Sequence, residues 1–153
     1  MKPRVPALLD VLNDVLSAEL TAINQYFLHA KMCGNWGYGK LHGHIRKESI
    51  DEMRHAEQIT ERILFFEGLP NYQWLYNVTV GETVDEQFKL DLALEYAAVE
   101  RLHKGIQLAT DDAGTRDLLE RILVSEEEHI DWIETQLETV RQIGLPLYLA
   151  QQL

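Results

Sequence analysis

The sequence predicts an all-α fold, a bundle of four long helices with one long crossover and a short fifth helix at the C-terminus. Four long segments carry apolar residues at the three- and four-residue steps of an amphipathic helix. Glycine, proline and asparagine collect between these segments and mark a short, a long and a second short connection. A chain of 153 residues can bury a core of its own, and we expect residues 1–153 to form a single domain.

The first two predicted helices form a hairpin. Pro6 suits the first turn of a helix, which we expect to run from about Ala7 to Trp36. Glycines between residues 34 and 43 indicate a short turn and a loose entry into the second helix. That helix is expected to continue to about Glu67 and to end at Gly68.

A long crossover separates this hairpin from the next one. Residues 68–82 have no helical period, and Thr83–Glu86 fits a capping box that opens the third helix. A short turn at residues 111–114 predicts that helices three and four are antiparallel neighbours. The fourth helix is expected to stop at Gly144, and a short fifth helix to follow it to Leu153. Short, long and short connections are typical of the ferritin-like arrangement.

Six potential metal ligands recur in two matched sets. Each of two Glu-x-x-His motifs has a lone glutamate about one helix hairpin upstream, and residues i and i+3 share a helix face. All six lie on apolar seams near the midpoints of their helices, so they are expected to meet in the centre of the bundle. The predicted ligands, which are also the predicted catalytic residues, are Glu19, Glu52, His55, Glu95, Glu126 and His129.

Burying four carboxylates together would be costly without cations to neutralise them. The alternative is that some of these glutamates form buried ion pairs or lie on a solvated face. Oxygen-rich ligands with one imidazole per ion favour iron or manganese. Glu52 and Glu126 would then bridge two ions that lie about 3.5–4 Å apart. Two Fe(II) ions in such a site can deliver two electrons to O₂ or H₂O₂.

Tyr26 lies on the same helix seam as Glu19, seven residues further along. Two roles stay open for it. It could supply an electron or a hydrogen bond to the metal site, or it could be a core aromatic residue with a satisfied hydroxyl.

Composition limits the classes of partner. A net charge of −11 argues against nucleic acid, because contact with phosphates needs clustered lysine and arginine. No apolar run approaches the roughly 18 residues that span a membrane. The first residues lack a signal-peptide pattern, and the single cysteine, Cys33, excludes an intramolecular disulfide framework. We therefore expect a cytoplasmic protein without a nucleic-acid or membrane partner.

These residues resemble a bacterioferritin over essentially the whole chain, with all six ferroxidase ligand positions filled. The resemblance implies a single ferritin-like di-iron domain in a homo-oligomeric cage of 24 subunits, built from twofold dimers. It implies that Fe(II) is oxidised by O₂ or H₂O₂ and stored as a ferric mineral, with a ferredoxin as a candidate reductant for iron release. The matching stretches are residues 22–30 (AINQYFLHA), 48–53 (ESIDEM), 62–71 (RILFFEGLPN), 91–95 (DLALE) and 126–132 (EEEHIDW).

The resemblance also implies haem b, one per two subunits, with Met53 as its axial ligand. From the residues alone, Met53 is rotated about 100° from the seam that carries Glu52. It belongs to a second apolar face of the first hairpin, which a twofold partner would cover. A methionine on such a face is more typical of interface packing, so haem rests on the resemblance.

One position departs from the family pattern. Bacterioferritins with an additional iron site on the inner surface use a histidine where this chain has Lys47, although Asp51 is kept. A protonated lysine cannot ligate iron, so we expect no such site. Our hypothesis is that iron then enters the cavity through the di-iron site.

Three other functions are compatible with a four-helix bundle of this kind. A di-iron oxidase or peroxidase of the rubrerythrin kind would carry a four-cysteine iron module, which this chain lacks. A DNA-protecting mini-ferritin would bind its metals between subunits, and the absence of a basic tail also argues against DNA coating. A haem-free ferritin is the nearest alternative, and Met53 distinguishes it from a bacterioferritin.

Overall fold

The computed structural model describes residues 1–153 and contains five α-helices and no β-strand. Short turns connect α1 to α2 and α3 to α4, and further packing of α1 on α3 and of α2 on α4 closes the bundle. The predicted all-α, four-helix fold with a short fifth helix is confirmed. The helices are α1 (Leu8–Asn35), α2 (Gly39–Phe65), α3 (Val84–Leu108), α4 (Ala113–Ile143) and α5 (Leu145–Ala150).

The helix boundaries differ from the expected ones in detail. Pro6 lies in a turn that precedes α1, and α2 begins directly at Gly39 without a loose entry. After α2 ends, the left-handed residue is Glu67 (φ 60°), and the Gly68 amide donates to the Ile63 carbonyl oxygen at 2.9 Å. Gly68 meets a packing need, because a Cβ at this position would lie 2.7 Å from Cδ2 of Leu9.

The capping box predicted for α3 is only half formed. The Thr83 hydroxyl accepts from the Glu86 amide at 3.2 Å, as expected for an N-cap. The Glu86 carboxylate instead accepts from the amide of Glu82, at 2.8 Å. Gly144 has φ 84° and ends α4, as predicted.

Apolar residues form two clusters in the bundle. One contains 11 buried residues, including Leu12, Ile59 and Leu102, and the other contains 10, including Tyr26 and Phe88. Along every long helix, the predicted metal ligands lie between the members of these two clusters. Each cluster therefore seals one end of a polar layer at the middle of the bundle.

The crossover, residues 66–83, is attached to α1 by a ladder of polar side chains. Five residues spaced by four along α1 hydrogen-bond to the backbone of residues 69–81. These bonds satisfy backbone groups that have no regular secondary structure of their own. The ladder consists of Asn13, Ser17, Thr21, Gln25 and His29.

No helix in the structure combines the length and the apolar character required for a membrane span.

Candidate metal centre

The structure brings all six predicted ligands together at the middle of the bundle. Glu19 comes from α1, Glu95 from α3, and the two Glu-x-x-His motifs come from α2 and α4. The four glutamates are at most 2% exposed, and the histidines are 8% (His55) and 6% (His129) exposed. Water therefore has almost no access to their charges.

The six side chains form two overlapping groups of four. Within each group, one potential ligand atom per residue lies within 4.8 Å of the others. Glu52 and Glu126 belong to both groups, while each histidine and each of the other glutamates belongs to one. This is the arrangement required for two ions that share two carboxylates.

Both imidazoles turn Nδ1 towards the carboxylates. Nδ1 of His55 lies 3.0 Å from Glu126, 3.4 Å from Glu19 and 3.5 Å from Glu52. Nδ1 of His129 has a matching set of neighbours, at 3.0 Å (Glu52), 3.3 Å (Glu95) and 3.4 Å (Glu126). Each ring nitrogen thus faces three carboxylates.

Most of these close approaches are not aligned as hydrogen bonds. Every buried side-chain polar atom in the protein that lacks a hydrogen-bond partner belongs to this cluster. Buried groups without partners are rare and cost about 1–3 kcal/mol each, so a set of them calls for a ligand. Oxygen and imidazole nitrogen donors converging in this way fit divalent cations such as iron. The atoms are Glu19 Oε2, Glu52 Oε1, His55 Nδ1, Glu95 Oε2, and Oε1 and Oε2 of Glu126.

The carboxylates do not share one ionisation behaviour. Burial, together with the charges of Glu52 and Glu126, raises the pKa of Glu19 well above its ordinary value. Burial and the neighbouring Glu126 raise the pKa of Glu95 in the same way. Burial opposes ionisation of Glu126 too, but close contacts with Glu95 and the two histidines hold its pKa well below the ordinary value.

Burial alone would lower the pKa of each imidazole, but the carboxylates outweigh it. Close contacts with Glu126, Glu19 and Glu52 raise the pKa of His55 to about 12, and the pKa of His129 is raised by the same kind of contact. With no cation present, protons thus compensate the negative charge. A metal ion that binds here must displace them.

Two neighbours orient the cluster from outside. The Tyr26 hydroxyl, which is fully buried, donates a hydrogen bond to Oε1 of Glu95. Asp51 Oδ2 lies 3.3 Å from Nε2 of His129, so a proton on Nε2 leaves Nδ1 free as a ligand. Sequence reasoning treated Asp51 only as a candidate for an inner-surface iron site. Its position one residue before Glu52 did not reveal this contact.

A buried polar network beside the centre was also missed. The Asp91 carboxylate, one turn before Glu95, accepts from Gln25 at 2.8 Å and contacts Nδ1 of His29 at 2.9 Å. The Gly81 amide donates to Nε2 of the same ring, so His29 carries its proton on Nδ1. The signal that could have revealed this network is the four-residue spacing of polar residues on α1.

Met53 lies away from this cluster, on an outer face of the first hairpin. Its side chain is 55% exposed. Ser49 Oγ donates to the Ile23 carbonyl oxygen at 2.9 Å, which sets this part of α2 beside the half-buried Leu20 and Ile23 of α1. The structure therefore leaves the Met53 thioether free on a partly apolar surface.

Comparison with known proteins agrees with this geometry. Residues 9–143 match the family model of the ferritin-like domain. Bacterioferritins of Mycolicibacterium paratuberculosis and Mycobacterium avium are each 53% identical over 148 residues, covering 95% of this chain and 93% of theirs. The solved structure of Mycobacterium tuberculosis bacterioferritin BfrA has a TM-score of 0.97, with 52% identity over 100% of this chain and 97% of that one. The fold, the buried carboxylate and histidine cluster and these matches together show that the chain belongs to the bacterioferritin family.

Proposed function

We propose that this protein stores iron and oxidises it, as an Fe(II):oxygen oxidoreductase, at the six-residue centre. In this proposal Fe(II) is oxidised by O₂ or H₂O₂, and the ferric mineral collects inside a cage of 24 identical chains. The observation that carries the proposal is the pair of overlapping ligand groups that share Glu52 and Glu126. Membership of the bacterioferritin family supports it.

The ligand roles follow from this geometry. One ion would be held by Glu19 and His55 and the other by Glu95 and His129, with both shared carboxylates between them. Two Fe(II) ions bound side by side would supply two electrons to the oxidant. The four carboxylates offset the four positive charges of two divalent ions. This neutralisation compensates the desolvation cost of burying two cations in a medium of low dielectric constant.

The surrounding residues prepare this site for its chemistry. Tyr26 holds Glu95 by a hydrogen bond, and Asp51 holds His129, so both unshared ligands of one ion are fixed by a neighbour. The apolar clusters at both ends of the polar layer exclude water. Protons held by Glu19 and Glu95 leave as ions bind, since only ionised carboxylates are good ligands.

We further propose haem b at a twofold dimer interface, one group per two chains. Met53 and Met53 of a second copy would hold it, because the thioether is exposed on an outer face where a twofold partner could bind. The bound haem would supply an electron-transfer centre at the interface. Release of iron would then draw electrons from a ferredoxin, in the cytoplasm.

Anaerobic Fe(II) titration tests the ferroxidase proposal. We expect saturation at two Fe(II) per chain, followed by rapid oxidation when O₂ or H₂O₂ is added. In Glu52→Ala/Glu126→Ala both shared carboxylates are lost, so the break in the titration and the rapid oxidation should disappear. Mineral retained with the cage on gel filtration measures storage.

Glu57→Ala/Glu127→Ala is the matched control, because it removes two exposed glutamates from the same two helices. This variant should titrate and oxidise like the unaltered protein. Unchanged oxidation in Glu52→Ala/Glu126→Ala would refute the ferroxidase assignment. Rapid oxidation with no retained mineral would instead assign a di-iron oxidase.

A further inference from the structure

A groove lined by basic residues lies beside the metal centre. It has a volume of about 440 Å³ and lies between α2 and α4. Lys47 and Arg54 from α2 and Arg121 from α4 line it. The chain has only 14 lysines and arginines and a net charge of −11, so three cations along one groove are a local exception.

The helical register places these donors on facing surfaces. Lys47, Arg54 and Gln58 follow one another on α2 at steps of seven and four residues, which keeps them on one face. Arg121 and Ser125 are four residues apart on α4 and face them across the groove. Ammonium, guanidinium, amide and hydroxyl groups therefore converge on the same space.

Carboxylates within the groove leave these cations largely free. Asp51 lies 3.3 Å from Nε2 of His129 but 3.9 Å from Arg54, so its contact with the guanidinium group is the weaker of the two. Arg121 contacts Asp117 through Nε at 3.1 Å, which leaves its two terminal nitrogens free. Lys47 forms no ion pair. Glu128 is the remaining acidic residue of the lining, and it is exposed to solvent.

One buried donor opens into this groove. His55 is 8% exposed, and its Nδ1 is turned inwards to the carboxylates of the centre. All of its contacts with carboxylates are made through Nδ1 and none through the other nitrogen, Nε2, and the residue lines the groove. The equivalent nitrogen of His129 has Asp51 as its acceptor. The two halves of the centre therefore differ at this atom.

We propose that the groove binds an inorganic oxyanion of the orthophosphate type, which accepts the hydrogen bond from Nε2 of His55. Arg54 and Arg121 present planar groups of donors that match tetrahedral phosphate oxygens, and Lys47 adds a point charge. The bound anion would accept from Nε2 of His55, as Asp51 does from Nε2 of His129. It would thereby hold the His55 ring with Nδ1 facing the centre.

This inference rests on the proposed metal centre, because anion binding and metal binding should reinforce each other. Without metal ions, the nearby carboxylates repel an anion. Two divalent cations reverse the local charge, and a cation on Nδ1 makes the Nε2 proton a stronger donor. Phosphate should therefore bind more tightly to metal-loaded protein, and by linkage phosphate should tighten metal binding by the same factor.

Cobalt(II) provides a test that does not depend on oxidation. The assembled protein is loaded with Co(II), its stoichiometry is measured, and the ³¹P relaxation of added orthophosphate is recorded. We expect strong paramagnetic relaxation of bound phosphate. In Arg54→Gln/Arg121→Gln, phosphate affinity should fall at least about tenfold while Co(II) stoichiometry is unchanged. Lys104→Gln, a neutralised exposed lysine on α3, is the charge control and should bind phosphate normally.

Competing ligands identify the chemistry of the site. Sulfate should displace orthophosphate, whereas a phosphate monoester that binds equally well would show that the site accepts organic phosphates and would overturn the inorganic assignment. If sodium chloride at equal ionic strength abolishes the ³¹P relaxation as well as sulfate does, phosphate is attracted only by the overall charge of the groove. That result would overturn the proposal of a specific site. Relaxation unaffected by the arginine variant would mean that phosphate binds elsewhere, and would overturn it.

Failure of Co(II) to bind would refute the metal centre as well as this site, whereas Co(II) binding without arginine-dependent relaxation would refute this site alone.

Discussion

Asp51 Oδ2 lies 3.3 Å from Nε2 of His129, on the opposite side of the ring from the buried carboxylates. When a metal ion displaces the proton on Nδ1, the contact keeps Nε2 protonated and directs the lone pair of Nδ1 into the centre. It also increases the basicity of the ring as a ligand.

Replacing Asp51 by asparagine should weaken one of the two metal positions. The amide keeps the shape of the side chain but removes the negative charge that polarises His129. We expect affinity for one Co(II) ion to fall about 10–100-fold, as is usual when such a partner is lost. The other ion, on the His55 side, should keep its affinity, so a single-step titration should become biphasic. Visible absorption of bound Co(II) measures both steps.

Asp131→Asn is the control for this variant, because Asp131 is an exposed aspartate two residues beyond His129. It should titrate like the unaltered protein. An equal loss of both metal positions in Asp51→Asn would argue that the residue acts through overall charge and not through His129.

The stability of the metal-free protein should fall as pH rises. The pKa of His55 is about 12 in the fold against an ordinary value of 6.5, so the folded state holds more protons between these values. Its contribution is complete below pH 6.5 and is lost as pH rises towards 12. Glu19 and Glu95, whose pKa values are also raised by burial, act with the same sign. Glu126, whose pKa is lowered, acts oppositely and loses its contribution in acid.

Thermal unfolding of chelator-treated protein between about pH 6 and 9 measures this effect. We expect the melting temperature to decline across that range, and Co(II) to reverse the decline, because ions replace the protons. Calorimetry in buffers of different ionisation enthalpy should detect protons released as the metal binds. A melting temperature that rises with pH in the metal-free protein would contradict this account.

Met53→Leu should abolish the proposed haem binding while it preserves the proposed dimer interface. Leucine has nearly the volume and apolar character of methionine, so packing changes little, but it has no sulfur to ligate iron. We expect haem-reconstituted protein to lose the spectrum of two thioether ligands, with assembly unchanged on gel filtration. Met32→Leu, at a half-buried methionine on α1, is the matched control. Haem retained by Met53→Leu with an unaltered spectrum would exclude this ligand.

The candidate centre could be predicted from the sequence because the helical period relates the position of a residue to the helix face on which its side chain lies. Glu52 and His55 are three residues apart on an apolar seam, and the same holds for Glu126 and His129, so their side chains had to point inwards. The lone glutamates follow from the same seams. None of this required knowledge of the loops.

Features built by irregular backbone could not be predicted in the same way. The crossover has no period, so the polar residues of α1 from Asn13 to His29 gave no indication of which backbone they would meet. The second helix was expected to end at Gly68, but the left-handed residue after it is Glu67, and Gly68 instead permits close packing on Leu9. Contacts between distant segments decided both cases.

Thr21 tests how much the ladder contributes to stability. Its hydroxyl accepts from the Tyr76 amide at 3.0 Å and donates to the Ser17 carbonyl oxygen at 2.7 Å. Thr21→Val keeps the branched shape but leaves the Tyr76 amide without its partner. We expect a loss of about 1–3 kcal/mol in the free energy of unfolding. Limited proteolysis should also cut the crossover faster, because fewer bonds then hold it to α1.

Thr139→Val is the matched control, since the Thr139 hydroxyl donates to the Thr135 carbonyl oxygen in an exposed hydrogen bond within α4. It should change stability by no more than about 0.5 kcal/mol. If the two variants unfold at the same denaturant concentration, the ladder is not what holds the crossover. The side-chain contacts of the crossover, such as those of Tyr76 with Asp14 and Arg101, would then be its main attachment to the bundle, and Tyr76→Ala should accelerate proteolysis more than Thr21→Val.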